Sequence, residues 1–410
     1  MSERLDRRQF ITQVGGGLAA AAIVPNLANA SSWIGRAPVR VGVVGAGRQG
    51  RAILGELGKL AGAEVVAVCD ADERRLASGL RRVSGAEGFA SIGAMLGSSA
   101  APDAVVIATP TPTHKDVAVP AIEAGKHVYC EAPLAHTIED CLAINTAARS
   151  AKGVVAAGLQ GRSNPVYDLA RGFFRSDSVR DLVSMRAQRH QKTSWVSPSR
   201  DPARSKALNW RLDPEVTTGL AGEWGTHQFD VFHWYTGQYP VRVMGHGDIR
   251  LHDDGRKVHD TIACTLIFPD GAALQYGATL ANSYNGTHEL FHGSNAAIKL
   301  AWSHGWMFKE ADAPTQGWEV YANRQQFHND EGITLIAGAT KLSEQGKLKD
   351  GVGLPNTSLY YALENWLGAI AGDHEVACPI GEAVRATAVG IAAHRATRDG
   401  VAVDVEMPSL

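Results

Sequence analysis

The stretch Val39-Arg40-Val41-Gly42-Val43-Val44 runs straight into Gly45-Ala46-Gly47-Arg48-Gln49-Gly50, and its reading decides the fold. The first six residues form a largely apolar run of strand length, and a helical pattern begins near Arg51. A bare Gly-x-Gly-x-x-Gly is weak evidence, but one lying between a strand and a helix has the context a dinucleotide site requires. Gly45 permits the tight turn, Gly47 the close approach of a pyrophosphate, and Gly50 the packing of helix on strand. Arg48 and Gln49 belong to the same loop, and the helix N-terminus offers free N–H groups to phosphates. Taken as a turn without a ligand, the motif needs no chemistry at all, so the rest of the chain must decide.

A second apolar run, 64–69, ends at Asp70, which is placed to accept hydrogen bonds from an adenosine ribose and so favours NAD. Arg74 and Arg75 follow closely and leave NADP open. Strand-helix alternation continues through 103–108, a helix to about 124, a strand at 126–130, a helix capped by Thr137, and a strand at 154–159. Repeated units of this length imply an α/β doubly wound parallel sheet with its ligand beyond the strands' carboxyl ends.

With these elements in place, the chain resembles the Gfo/Idh/MocA family. The resemblance rests on the glycine turn and on Thr109-Pro110 followed by His114. It rests also on Ala124-Gly125-Lys126-His127-Val128-Tyr129-Cys130-Glu131, and on a later His/Asp helix. It covers about 39–400 and implies NAD(P)-dependent chemistry on sugars or cyclitols, with a C-terminal α+β domain built on an open, mostly antiparallel sheet. It also implies that Thr109, His114 and Glu131 serve the cofactor, Glu131 at the nicotinamide ribose. Most members carry Glu-Lys-Pro, whose Lys assists proton transfer; this chain has Glu131-Ala132-Pro133.

From about 182 the pattern becomes strand-rich, with runs at 182–191, 241–250, 261–268 and 272–279 and a Pro269-Asp270-Gly271 turn. Two late helices, 358–371 and 381–398, are expected to pack back on the first domain, through Leu363, Trp366, Leu367 and Ile370 on the first of them. The strongest chemical grouping is Glu223, His227 and Asp230, which at i, i+4 and i+7 share one face of a helix. The family pattern there is Asp-x-Gly-x-His-x-x-Asp, so His227 matches its catalytic histidine and Glu223 replaces the Asp. Histidine suits removal of a hydroxyl proton near neutral pH, and a neighbouring carboxylate is expected to raise its pKa. Substrate contacts are expected from Gln160, Arg162, His190, Lys192, Asn209, Trp210 and Asp230, with Lys192 or His190 standing in for the missing Lys. Trp302, Trp306 and Trp318 read as sheet packing. No metal-ligand cluster is apparent.

The 410 residues carry 40 Lys+Arg and 42 Asp+Glu, a formal charge of −2 that argues against nucleic acid or anionic lipid as partner and suits an uncharged sugar. Forty-four glycines exceed the usual ~7% and fit a turn-rich chain. Five scattered cysteines imply neither a disulfide framework nor a zinc site.

Residues 1–30 read as an address. Arg7-Arg8 precedes an uncharged run at 14–24, then Pro25 and Ala28-Asn29-Ala30, which resembles a twin-arginine signal cleaved near Ser31. The run is short for a ~30 Å hydrocarbon core, so no stable membrane insertion is expected after cleavage. The expected organisation is a leader at 1–30, a linker at 31–38, a Rossmann NAD(P)-binding domain at 39–160 and a substrate domain at 161–410.

The leading reading is a periplasmic or otherwise exported oxidoreductase with a tightly held NAD. The family resemblance adds a homo-oligomer. Two readings compete. One is a glycosidase that oxidises its sugar transiently, eliminates the aglycone, adds water and re-reduces, which some members do, often without the Lys. The other is a non-catalytic NAD-binding protein.

Overall fold

The computed structural model describes residues 33, 35–316, 319, 322–337 and 353–410. The expected leader, part of the linker and Trp318 lie outside these residues.

Val39–Val44 (β1) is the central strand of a six-stranded parallel sheet completed by Ala63–Cys69 (β2), Glu87–Phe89 (β3), Ala104–Ile107 (β4), His127–Cys130 (β5) and Val155–Ala157 (β6). Its order is β3-β2-β1-β4-β5-β6, which places the switch between β1 and β4, where the carboxyl ends diverge and a ligand crevice opens. The crossovers are helices with legible starts. Arg48–Leu57 (α1) follows Gly47, Glu73–Leu80 (α2) is capped by Asp72, and Ile92–Leu96 (α3) by Ser91. His114–Glu123 (α4) comes next, and Ile138–Arg149 (α5) begins at Thr137, whose hydroxyl accepts from the Asp140 N–H. The sheet is buried on both faces: Val105 and Ile107 point into one apolar cluster, Val41, Val43 and Val106 into the other.

After Pro165–Arg175 (α6) the chain enters a second sheet of ten strands among the described residues. They are Leu182–His190 (β7), Arg242–Asp248 (β8), Thr261–Ile267 (β9), Ala273–Thr279 (β10), Thr287–Gly293 (β11), Ala296–Ala301 (β12), His304–Lys309 (β13), Arg324–Gln326 (β14), Glu331–Thr334 (β15) and Val403–Asp404 (β16). The order is β14-β15-β13-β12-β11-β7-β10-β9-β8-β16, and only the β7–β10 pair is parallel. Phe268 and Gly271, with Gly271 at φ +87°, close the β9–β10 hairpin.

One face of this sheet is covered by α6, by Thr226–Thr236 (α8, after the short Pro202–Leu208, α7) and by part of Ile380–Asp399 (α10). Ser358–Ile370 (α9) packs on the first sheet instead, with Leu363, Trp366 and Leu367 all fully buried there. Helix α10 spans both cores: Ile380, Ala383 and Val384 lie with the first, Val389, Ala393 and Ala396 with the second. The chain therefore crosses back, and the two sheets are tied by helices formed last in sequence. All five cysteines are free and buried. Among the described residues no helix is long and apolar enough to cross a membrane.

Candidate active site

The carboxyl ends of β1, β4 and β5 face the end of β7 and the start of α8 across a cleft of about 960 Å³. The glycine loop forms its floor. Gly45 takes φ +95°, and a Cβ there would stand 2.5 Å from the Ala108 carbonyl oxygen. A Cβ on Gly50 would stand 1.7 Å from the Gly45 carbonyl oxygen, so α1 approaches β1 closely enough to exclude any side chain. Gly47 differs: a Cβ there would meet only the end of the Arg75 side chain, at 3.7 Å, and the residue borders open space. Asp70 at the end of β2 accepts from the N–H groups of Ala46 (2.7 Å) and Asp72 (2.8 Å), which locks the loop to the strand. Arg48, Arg51 and Arg75 line the same end of the cleft.

Glu131 and Gln49 meet at the floor's far edge, Gln49 Nε2 donating to Glu131 Oε1 at 3.0 Å. Burial pushes the Glu131 carboxyl up to about 7 against the pull of that bond. His114 sits below, fully buried. Its Nδ1 lies 3.1 and 3.2 Å from the carbonyl oxygens of Pro133 and Leu134, and its Nε2 lies 3.1 Å from that of Thr109. Its ring is committed to joining the β4 and β5 loops, so it shapes the cofactor pocket rather than reaching into it. Burial lowers its pKa.

Thr109 Oγ1 is buried at the cleft without a partner among the described residues. This unpaired hydroxyl, the open face of Gly47 and the free N-terminus of α1 fit a dinucleotide.

The opposite wall is built by α8 and what precedes it. Ala221–Gly225 forms a π-helical turn, a local widening that recurs at functional sites, and Thr226 then starts α8. The turn alters the spacing on which a single Glu-His-Asp face depends. Glu223 and His227 border the cleft, but the Glu223 carboxylate turns to Thr218 Oγ1 (2.9 Å), Arg211 Nε (3.2 Å) and, across the cleft, Thr111 Oγ1 (3.4 Å). Burial raises its pKa, opposed by Arg211.

The expected Glu-raised histidine is therefore not what forms. His227 is pushed down to about 3, first by burial and then by the Arg189 guanidinium, against a weaker upward pull from the Ala132 backbone. Its Nδ1 has no hydrogen-bond partner among the described residues. These surroundings favour the neutral imidazole.

Asp230 is turned away from the cleft. It is fully buried, and Arg162 grips it through Nε (2.9 and 3.1 Å) and Nη2 (2.7 Å), while the same Nη2 reaches Glu382 at 2.9 Å. Arg162 and Asp230, expected at the substrate, thus form an ion pair that ties the segment after β6 to α8 and α10.

Three further expected contacts lie elsewhere. His190 Nδ1 faces the Tyr284 carbonyl at 3.2 Å, on the open side of the large sheet. Lys192 is fixed by its N–H to Ser283 Oγ, and its side chain is not on the cleft wall. Asn209 spends its amide on the backbones of Ser197 and Ser205. Among the described residues no lysine lines the cleft to replace the missing Lys beside Ala132.

Gln160 and Trp210 do line the cleft, as do Trp195 and Arg211, the sequence neighbours of expected contacts, joined by Arg189, Gln191, Trp224 and Trp302, which the sequence did not mark as site residues. Arg211 stacks on Trp210 (Cζ to centroid 4.4 Å), Arg189 on Trp224 (4.7 Å), and Trp195 meets Trp224 edge-on at 5.3 Å. Trp302, expected as sheet packing, instead borders the cleft. It and Trp195 have φ of +57° and +62°, a strained state for bulky side chains that concentrates at functional sites. Nothing in the one-dimensional pattern marks Trp302 as a cleft residue, because the strain that aims it is tertiary.

Two family models match the chain. Residues 39–159 match the oxidoreductase family, NAD-binding Rossmann fold, and residues 192–405 match the same family's C-terminal alpha/beta domain. Inositol 2-dehydrogenase 1 of Saccharopolyspora erythraea is 30% identical over 90% of this chain and 97% of its own length. An inositol 2-dehydrogenase of Corynebacterium glutamicum is 30% identical over 50% of this chain and 56% of its own. Among solved structures, a levoglucosan dehydrogenase in complex with NADH and L-sorbose superposes with a TM-score of 0.72 at 20% identity, covering 90% of this chain and all of that one. The chain belongs to the Gfo/Idh/MocA family of NAD-dependent oxidoreductases.

Proposed function

We propose that this protein is an exported sugar oxidoreductase that keeps its NAD bound, with His227 as the base that takes the proton of the substrate hydroxyl. The observation that carries the reading is a half-buried imidazole, its pKa pulled down by its surroundings, in the same cleft as the glycine loop. Nicotinamide bound there supplies a two-electron acceptor for the carbinol carbon. Gly45, Gly47 and Gly50 give the dinucleotide its cradle, Asp70 faces the adenosine ribose, and Gln49 and Glu131 border the nicotinamide end. A neutral His227 ring keeps one nitrogen as an acceptor, and its Nδ1 is unpaired among the described residues, so it can receive the hydroxyl proton as the carbinol is oxidised. Glu223 holds Arg211 and Thr111 on opposite walls and so sets the width of the cleft. The aromatic wall of Trp195, Trp210 and Trp224 offers flat apolar faces to a sugar ring and excludes water from it.

The twin-arginine-like leader supports export of the folded protein, and an exported enzyme without free NAD around it must retain and recycle its own. The relatives named for inositol and levoglucosan support a polyol or sugar as substrate, and the open sheet face supports a homo-oligomer. A second reading draws on Ala132: without the family's usual Lys beside the hydroxyl, the oxidised sugar can instead eliminate its aglycone, add water and be re-reduced, giving net glycoside hydrolysis. Mass spectrometry of the natively purified protein tests retention, with bound NAD expected. Aryl glycosides added without NAD separate the two readings, since aglycone release with no net NADH sinks the simple dehydrogenase.

A further inference from the structure

Arg189, near the end of β7, opens on the cleft with no ion-pair partner among the described residues. Its guanidinium lies over the Trp224 ring and has no hydrogen-bond acceptor among them. Arg211 and Arg48 add positive charge around it, while Tyr276 and Glu289 act in the opposite sense without contacting it. Glu223 is taken by Arg211. Glu289 is taken by Tyr167 Oη (2.6 Å) and Gln228 Nε2 (2.8 Å).

The guanidinium is half-buried and open to the cleft, so its donors are free to exchange water for an acceptor pair on a ligand. Its charge reaches His227. It also lies on the wall opposite Arg48, Arg51 and Arg75, which flank the glycine loop and serve the dinucleotide's phosphates. Its vacancy therefore belongs to the other ligand of the cleft.

We infer that Arg189 receives an anionic group of the substrate, so that the sugar handled at this site is an acid, carrying a carboxylate or a phosphate that the guanidinium grips by two parallel hydrogen bonds. The inference rests on the proposed sugar oxidoreductase and narrows it. It also revises the expectation of an uncharged substrate, because the near-zero charge of the whole chain conceals a cleft wall that is locally positive.

The test uses the full chain loaded with NAD and titrated with hexoses, hexuronates and hexose 6-phosphates of gluco, galacto and manno configuration. Binding is followed by calorimetry and by the tryptophan fluorescence to which Trp224 contributes. An acid is expected to bind at least about tenfold more tightly than the matching neutral sugar, as one charge-assisted pair implies. Whether the hexuronate or the hexose phosphate leads identifies the anion. R189M should bring the acid-to-neutral ratio close to one, and R189K should retain part of it. Neutral sugars binding as tightly as both acids in the wild type, or a preference untouched by R189M, overturns the inference and leaves the oxidoreductase reading standing. If no sugar of any kind binds or reduces NAD, the proposed function fails and the inference falls with it.

Discussion

Replacing Asp230 with Asn removes one charge and almost no volume, and so isolates the electrostatic contribution of the Arg162 pair. Asp230 is fully buried and takes three contacts between 2.7 and 3.1 Å from one guanidinium. Breaking a buried pair of this kind by removing one partner costs about 3–5 kcal/mol, because the other charge is left uncompensated. Arg162 keeps one contact here, to Glu382 at 2.9 Å, so the low end applies, about 3 kcal/mol. With a urea m-value of about 3 kcal/mol/M, that moves the unfolding midpoint down by about 1 M. Equilibrium urea unfolding, followed by tryptophan fluorescence, measures it. A cycle with R162M should return a coupling of about 2 kcal/mol or more. Because Asp230 is one turn beyond His227 on α8, D230N should also lower kcat more than it raises KM. A midpoint within a few tenths of a molar of wild type would refute the view that this pair anchors α8.

Gly50→Ala places a methyl 1.7 Å from the Gly45 carbonyl oxygen, so α1 must move and NAD binding should fall below detection by calorimetry while the second domain stays folded. Asp70→Ser should weaken NAD by about tenfold and narrow its lead over NADP, again read by calorimetry.

The pH behaviour of His227 has a definite sign. Its pKa falls from 6.5 unfolded to about 3 folded, so the unfolded chain binds the proton first and the stabilisation is lost as pH falls below about 6.5. Glu131, Glu289 and Glu364, each raised to about 7, act in the opposite sense between about 4.5 and 7. The usable quantity is therefore the gap between wild type and H227N. It should shift in favour of H227N by about 1.4 kcal/mol per unit as pH falls from 6 to 4, measured as urea midpoints. A gap independent of pH contradicts the lowered pKa of this imidazole.

The first half of the fold was legible because each of its signals was local. An apolar run, a glycine turn and a capping Thr137 specify their own backbone with little help from the rest of the chain. The strand Glu87–Phe89 and the helix Ile92–Leu96 are too short to show a period, and they were missed. Strands β11 to β13 were missed for another reason. They are half-buried, so Thr287, His292, Lys299 and His304 interrupt the apolar pattern wherever a residue turns away from the core.

The site divides in the same way. The glycine loop and Asp70 could be read from spacing, as could the presence of His227 on a helix. The partner of Glu223 could not be read, because the π-helical turn at Ala221–Gly225 changes which residues share a face. The engagement of Asp230 with Arg162, 68 positions away, is set by packing between helices and leaves no trace in the local pattern.

The central claim is that His227 takes the hydroxyl proton of a sugar oxidised by NAD held in the cleft. A single-turnover measurement of NADH absorbance tests it most directly, with NAD-loaded wild type and H227N mixed with a saturating sugar from the titration panel. The account predicts NADH formation by the wild type and a rate at least about 100-fold lower in H227N, with NAD affinity unchanged. H227N turning over at the wild-type rate would contradict it.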